Sequence, residues 1–295
     1  MIWYRTIEVD GLKLFYREAG ATDAPALVLL HGFPTSSHMY RGLLDALADR
    51  FHLVAPDYPG FGNSDSPPTD RFEYTFDHLA AVTERFLQAS GLRQFSLYVQ
   101  DYGAPVGFRI ATRHPDWIQA LIVQNGNAYQ EGLTAAWEPI RALWRAWNPT
   151  TEAAVRSLLT RETTILQYTH GVRNVERINP DCWNLAQTGL DRPGNDMIQL
   201  ALLYDYRRNL ERYSEWHAYF RQHQPPTLVA WGKNDPFFGP EGARAFQRDL
   251  PNAEVHLLDT GHFALEEDGD TIAGLVRRFH DTRVCPVRRV PGPGC

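Results

Sequence analysis

Cysteine is scarce in this chain: Cys182, Cys285 and Cys295 are the only three. They form neither a metal-ligand spacing nor an even disulfide framework, which points to reduced thiols and a cytoplasmic setting. No window approaches the roughly 18 consecutive apolar residues of a membrane span. Met1-Ile2-Trp3-Tyr4-Arg5 lacks the basic-then-apolar layout of a signal peptide. A strong excess of one charge is missing too. The net charge of −6 comes from interspersed acids and bases, which does not suggest a nucleic-acid partner. The histidines lack metal-ligand spacing, and Gly60-Phe61-Gly62 does not open a helix with the full dinucleotide glycine pattern. No metal, cofactor, nucleic acid or membrane is therefore expected.

What is present is an ordinary globular composition, 43% hydrophobic and 22% charged, over 295 residues. That length fits one α/β core with an insertion. Arg5 to Val9 and Leu12 to Arg17 alternate about Asp10-Gly11, a hairpin signal. Ala26 to Leu30 is a continuous apolar run, as in a strand buried on both faces. Strand-like runs at Phe51 to Ala55, Phe95 to Val99 and Ile118 to Val123 then alternate with helical patterns at Met39 to Ala48 and Tyr74 to Ala89. This rhythm implies a mostly parallel, doubly wound sheet covered by helices.

The rhythm stops after Asn125. Residues 132–223 carry only helix-like stretches rich in Trp, Tyr and Arg, divided by breakers at Asn148-Pro149 and Asp191-Arg192-Pro193-Gly194. Alternation resumes at Thr227 to Trp231, Glu241 to Leu250, Val255 to Leu258 and Ala264 to His280. The division expected is a core of residues 1–131 and 224–281, a helical lid of 132–223 over the strand ends, and a disordered tail of 282–295, rich in Pro and Gly at its end.

Ligands in such sheets bind beyond the carboxyl ends of the strands. Four segments fall there: His31-Gly32-Phe33-Pro34, Gln100-Asp101-Tyr102-Gly103, Asn234-Asp235-Pro236 and Gly261-His262-Phe263. Each alone has an ordinary explanation: Asp101 as a helix N-cap, Asp235 as a turn residue before Pro236, His262 as a loop histidine. The order nucleophile, acid, histidine, all at strand ends, is harder to obtain by chance. At the strand-to-helix turn the residue is Asp101, a carboxylate, and no Gly-x-Ser-x-Gly occurs. A carboxylate attacking carbon yields an alkyl ester, which suits epoxides and alkyl halides better than esters or amides.

The chain resembles the α/β-hydrolase superfamily and, within it, the branch of epoxide hydrolases and haloalkane dehalogenases. The resemblance covers roughly residues 5–281 and rests on the four segments above, extended to Trp231-Gly232-Lys233 and Asp259-Thr260, together with Asp57-Tyr58-Pro59-Gly60-Phe61-Gly62-Asn63-Ser64. One departure is Val99, where many relatives carry glycine two residues before the nucleophile. Gly103 and Ala104 are then expected to give clearance on the far side. By this resemblance Asp101 is the nucleophile, His262 the base that activates water, and Asp235 the acid that orients His262. The backbone N–H groups of Phe33 and Tyr102 form the oxyanion hole, and His31 shapes its loop. Asn125 and Asn127, after the Ile118 to Val123 strand, are neutral, which leaves Asp235 as the triad acid.

Epoxide opening needs an O–H donor opposite the nucleophile, and halide release needs N–H donors. Tyr204-Asp205-Tyr206-Arg207-Arg208-Asn209 resembles the epoxide hydrolase stretch that carries a lid tyrosine, which puts Tyr206 forward. Tyr168 or Tyr129 is a candidate second tyrosine. For halide chemistry, Gly132-Leu133-Thr134-Ala135-Ala136-Trp137 resembles a lid segment that supplies an indole, yet the usual Trp after the nucleophile is Tyr102 and the usual Asn or Glu after His-Gly is Phe33. Fluoroacetate-type dehalogenases carry Arg at that first position. The sequence therefore favours a hydrolase of small apolar epoxides. A haloalkane dehalogenase with the same triad is the alternative, and a non-catalytic small-molecule binder of the same fold a further one.

Overall fold

In the computed structural model, which describes residues 1–284, eight strands form one sheet in the order β1-β2-β4-β3-β5-β6-β7-β8. The hairpin β1 (Ile2–Val9) and β2 (Leu12–Ala19) turns at Asp10 and Gly11, whose φ values are 53° and 77°. A tight turn with two positive φ values matches the twist of paired strands, and Asp-Gly tolerates it. β2 joins β4 (His52–Pro56) antiparallel, and every later pairing is parallel: β3 (Ala26–Leu30), β5 (Phe95–Gln100), β6 (Ile118–Gln124), β7 (Thr227–Gly232) and β8 (Glu254–Leu258).

The period-two geometry of a strand explains the unbroken apolar runs. In β3, Val28 and Leu30 join one core cluster, while Leu27 and Leu29 join the other. The first cluster packs under α2 (Phe76–Ala89) and α3 (Gly103–Arg113), and the second under α1 (Arg41–Leu47) and α11 (Ala264–Phe279). Both faces are thus covered, as parallel sheets require.

Between β6 and β7 the chain forms six α-helices: α4 (Glu138–Arg145), α5 (Pro149–Arg156), α6 (Arg161–Thr169), α7 (Pro180–Leu190), α8 (Asn195–Asp205) and α9 (Arg207–His223). Asn148 caps α5 with a capping box and Pro149 occupies its first turn, positions where these residues favour helix initiation. Gly194 precedes α8 with φ 82°. This block is pinned to the core by buried polar contacts. Arg109 of α3 bonds Asp77 at 2.5 Å and Asn209 of α9 at 2.7 Å, and Asp205 accepts from the N–H of Phe76 at 2.8 Å. α10 (Pro240–Asp249) completes the core.

At the C-terminus, residues 282–284, read from the sequence as tail, continue from α11 as a π-helical turn over His280–Val284. Thr282 Oγ1 bonds the carbonyl of Arg278 at 2.8 Å. The rest of the expected disordered tail, with Cys285 and Cys295, lies outside the described residues. Among the described residues, buried Cys182 forms no disulfide, and no helix there is long and apolar enough to cross a membrane.

Candidate active site

Asp101 follows the last residue of β5 and lies two residues before the first of α3, with φ 49°. A positive φ at a non-glycine residue is strained and is held only when its surroundings over-determine it. Here they do. Its N–H donates to the carbonyl of Asn125 at 3.2 Å, and Asn125, at the end of β6, has φ 43° itself. A Cβ at Gly103 would lie 2.0 Å from the carbonyl oxygen of Leu30, so only glycine lets α3 start this close to β3. The absence of glycine at Val99 is answered from the helix: a Cβ at Gly107 would meet Val99 Cγ1 at 2.7 Å.

The turn aims one carboxylate oxygen into a pair of donors. Asp101 Oδ1 accepts from the N–H of Phe33 at 2.7 Å and that of Tyr102 at 2.6 Å. Its other oxygen, Oδ2, lies 3.9 Å from Nε2 of His262. His262 Nδ1 lies 2.7 Å from Asp235 Oδ2, and both side chains are buried. The Asp235 carboxylate is saturated: Oδ2 also accepts from Asn125 Nδ2 at 2.8 Å, and Oδ1 from the N–H of Phe237 at 2.7 Å. The structure therefore brings Asp101, His262, Asp235 and the two backbone donors into one constellation.

Burial pushes the Asp101 carboxyl up to about 6, against the lowering influence of His262 and the two N–H donors. For His262 burial favours the neutral ring, but the charge and hydrogen bond of Asp235, with Asp101 behind, outweigh it and raise the pKa. These two groups share a site and titrate as a coupled pair.

The cavity beside Asp101 measures about 40 Å³. It is walled by Phe33, Tyr102, Phe237 and His262 from the core, and by Trp137, Ile140, Leu158, Gln167 and Leu203 from the helical block. Its surface is predominantly apolar. Trp137 is in the wall, but its indole N–H donates to the carbonyl of Phe237 at 3.1 Å. Tyr206 is not in the wall. It is buried behind it, with its ring 4.4 Å from that of Trp137 and 6.2 Å from that of Tyr102, and its hydroxyl bonds Tyr213. Tyr168 is not in the wall either: it stacks on Phe263 at 4.0 Å in the opposite core cluster. Tyr129 is spent on Asp249, with its hydroxyl 2.9 Å from Oδ2. His31 is buried under the loop, accepting from the N–H of Tyr58 at 3.4 Å and lying against Tyr58 and Phe61.

Sequence reading passed over two glutamines. Gln100 lies immediately before Asp101, and its side-chain nitrogen is 2.9 Å from His262 Nε2. Strand alternation could have found it, because a polar residue next to Asp101 in a buried strand needs a partner. Gln167 faces the cavity one residue before the expected Tyr168. On a helix adjacent residues point about 100° apart, so placing Tyr168 on Phe263 turns Gln167 inward. Among the described residues no group of His, Cys, Asp and Glu has the arrangement of a metal site.

A family model described as alpha/beta hydrolase fold matches residues 25–269. The chain is 44% identical over 282 residues to haloalkane dehalogenase 1 of Mycobacterium bovis, covering 90% of this chain and 87% of that one. It is 41% identical over 262 residues to the uncharacterized hydrolase YNR064C of Saccharomyces cerevisiae, covering 87% and 89%. The crystal structure of DBJA superposes with a TM-score of 0.78 at 25% identity, over 96% of this chain and 99% of that one.

Proposed function

The chain belongs to the alpha/beta-hydrolase family, and on that premise we propose that it hydrolyses small apolar epoxides through a covalent ester on Asp101. The observation that carries this reading is the division of labour within one carboxylate. Oδ1 already sits between two main-chain donors, while Oδ2 is unclaimed by them and faces His262.

In the first step Oδ2 attacks a ring carbon. A C–O bond forms to Asp101, the ring C–O bond breaks, and the alkoxide takes a proton from water, because Tyr206 lies behind the cavity wall with its hydroxyl on Tyr213. In the second step His262 Nε2 takes a proton from water and the hydroxide adds to Cγ of Asp101. The charge that develops on Oδ1 meets the N–H groups of Phe33 and Tyr102 without rearrangement, and a donor of this kind contributes about 2.7–4 kcal/mol. Collapse expels the diol on Oδ2, which takes the proton from His262. The oxygen from water stays on Asp101, whose remaining proton passes to the hydroxide left by the first step. Asp235 holds the imidazole in the tautomer with Nδ1–H and stabilises its charged form. The block over residues 132–223 serves as the lid.

Halide release is the second reading, favoured by the likeness to the Mycobacterium bovis dehalogenase. Against it, the residue after Asp101 is tyrosine and the Trp137 N–H is engaged by Phe237. The test is intact mass of a His262→Gln variant after exposure to styrene oxide and to 1-bromobutane. Accumulation of the styrene oxide adduct on Asp101 supports the epoxide reading. An adduct with bromobutane alone selects the dehalogenase, and no adduct with either, in a folded protein, points to a binding protein.

A further inference from the structure

A larger cavity lies on the far side of the Phe33–Ser36 loop from Asp101. It measures about 370 Å³ and shares no wall residue with the 40 Å³ cavity at Asp101. Ligand sites fall at about 300–1,000 Å³, so the second space has room for a small organic molecule. Its walls are Arg17 of β2, the loops around Thr35–His38 and Asn63, and the stretch from Cys182 of α7 to Arg192.

Two cations face this seam without an ion pair of their own. Arg17 and Arg192 are half-buried, and among the described residues neither has a carboxylate within ion-pair distance. Arg17 donates from Nε to Ser37 Oγ at 3.1 Å and lies against the rings of Tyr4 and Phe15. Arg192 bonds only main-chain carbonyls: Gly60 at 2.7 Å, Gly62 at 3.1 Å and Gly189 at 3.2 Å. The acid beneath them, Asp57, is occupied, with Oδ1 on the N–H of Ser37 at 2.7 Å and Oδ2 on that of Asn63 at 2.8 Å. Half-buried charges without a paired counter-ion are costly, which is why buried charges are normally paired.

The histidine in the same wall reports the local potential. His38 is pushed down to about 4, first by burial and then by Arg41 and Arg17, against the pull of Glu266 and Asp57. Arg41 is neutralised by Glu266 at 2.6 Å, and the single carboxylate of Asp57 attracts both Arg17 and Arg192, which leaves one positive charge in excess at the cleft. Leu185 and Ala186 add an apolar strip beside these groups.

We propose that this cleft binds a small organic oxyanion, a carboxylate or phosphate carrying a short apolar group, between Arg17 and Arg192. A guanidinium presents paired donors suited to such heads, and the neutral His38 offers one more donor. The inference is independent of the chemistry at Asp101.

The test measures binding to the wild-type protein of inorganic phosphate, butanoate and, as a neutral control, 1-butanol, all at one ionic strength set with sodium chloride. At ten times its dissociation constant, a bound anion is expected to raise Tm by about 2–4 °C. It is also expected to move the ring resonances of His38 saturably. Response to phosphate alone assigns a phosphate head, and to butanoate alone a carboxylate. Arg17→Gln, which removes the guanidinium from Ser37, Tyr4 and Phe15, should abolish both effects. No response beyond the chloride background, or an undiminished response in Arg17→Gln, would overturn the proposal. Should that variant fail to fold, the His38 titration in the wild-type protein decides by itself.

Discussion

The side-chain nitrogen of Gln100 lies 2.9 Å from Nε2 of His262, the imidazole nitrogen that faces Asp101. Asp235 accepts from Nδ1–H, so Nε2 carries the lone pair and the amide must be the donor. This bond exists only with the neutral ring. Gln100 therefore opposes the protonation that Asp235 and Asp101 favour; the other neighbours of the ring, Phe237, Phe238 and Phe263, carry no charge.

Gln100→Leu removes that donor and should raise the His262 pKa. A hydrogen bond worth about 1 kcal/mol corresponds to roughly 0.7 pH unit. Hydrolysis of the ester needs the neutral imidazole, so the pH at which this step is half-lost on acidification should move upward by that amount. Pre-steady-state decay of the adduct, followed from pH 5 to 9, measures it. An unchanged midpoint would remove Gln100 from the account.

Asp101→Asn should make the protein more stable while abolishing turnover. The folded carboxyl is raised to about 6 from an ordinary 3.8. The native state therefore holds its proton more tightly than the unfolded chain, and stability falls as pH rises through that interval. Above it the ionised group costs on the order of 2–3 kcal/mol. The variant should exceed the wild type by up to this amount at pH 8, with the gap closing toward pH 4. Denaturant melts at the two pH values check it. The same ionisation should make ester formation fail as pH drops through about 6.

Tyr206 lies behind the cavity wall with its hydroxyl on Tyr213, so Tyr206→Phe should leave both epoxide opening and hydrolysis of the preformed ester unchanged. Trp137→Phe removes a bond to the carbonyl of Phe237. It should cost about 1–2 kcal/mol of stability without changing the preference between epoxide and halide. Single-turnover rates on both substrates check both variants, and a halide-specific loss in Trp137→Phe would favour the dehalogenase.

Gly107→Ala should destabilise by about 1–3 kcal/mol, because the new methyl would sit 2.7 Å from Val99 Cγ1 and 3.0 Å from Leu97 Cδ2. Val99→Ala should recover part of that loss in the double variant, giving a coupling energy of about 0.5–3 kcal/mol. Additive effects would mean that Gly107 does not compensate for Val99.

Much of this arrangement is legible in the sequence because backbone geometry dictates it. Strand ends converge in a parallel sheet, so Asp101, Asp235 and His262 could be placed together from position alone. The N–H groups of Phe33, after β3, and of Tyr102, after β5, are expected from the family resemblance. The helical block is different. Its residues share helical spacing and aromatic composition, and which face turns inward depends on packing between helices distant in sequence. Tyr206 therefore lies behind Trp137, Tyr168 turns to Phe263, and Gln167 occupies the wall. Asn125 shows the limit from the other side. Its neutral side chain excluded it as the triad acid, yet its amide is what holds Asp235.

The most direct measurement is a single turnover in heavy-oxygen water with enzyme in excess over an epoxide, followed by mass analysis of the peptide containing position 101. Attack by Asp101 predicts one heavy oxygen in that carboxylate and an unlabelled diol. A labelled diol with an unlabelled Asp101 would mean that water attacks the substrate directly, and the covalent account would be contradicted.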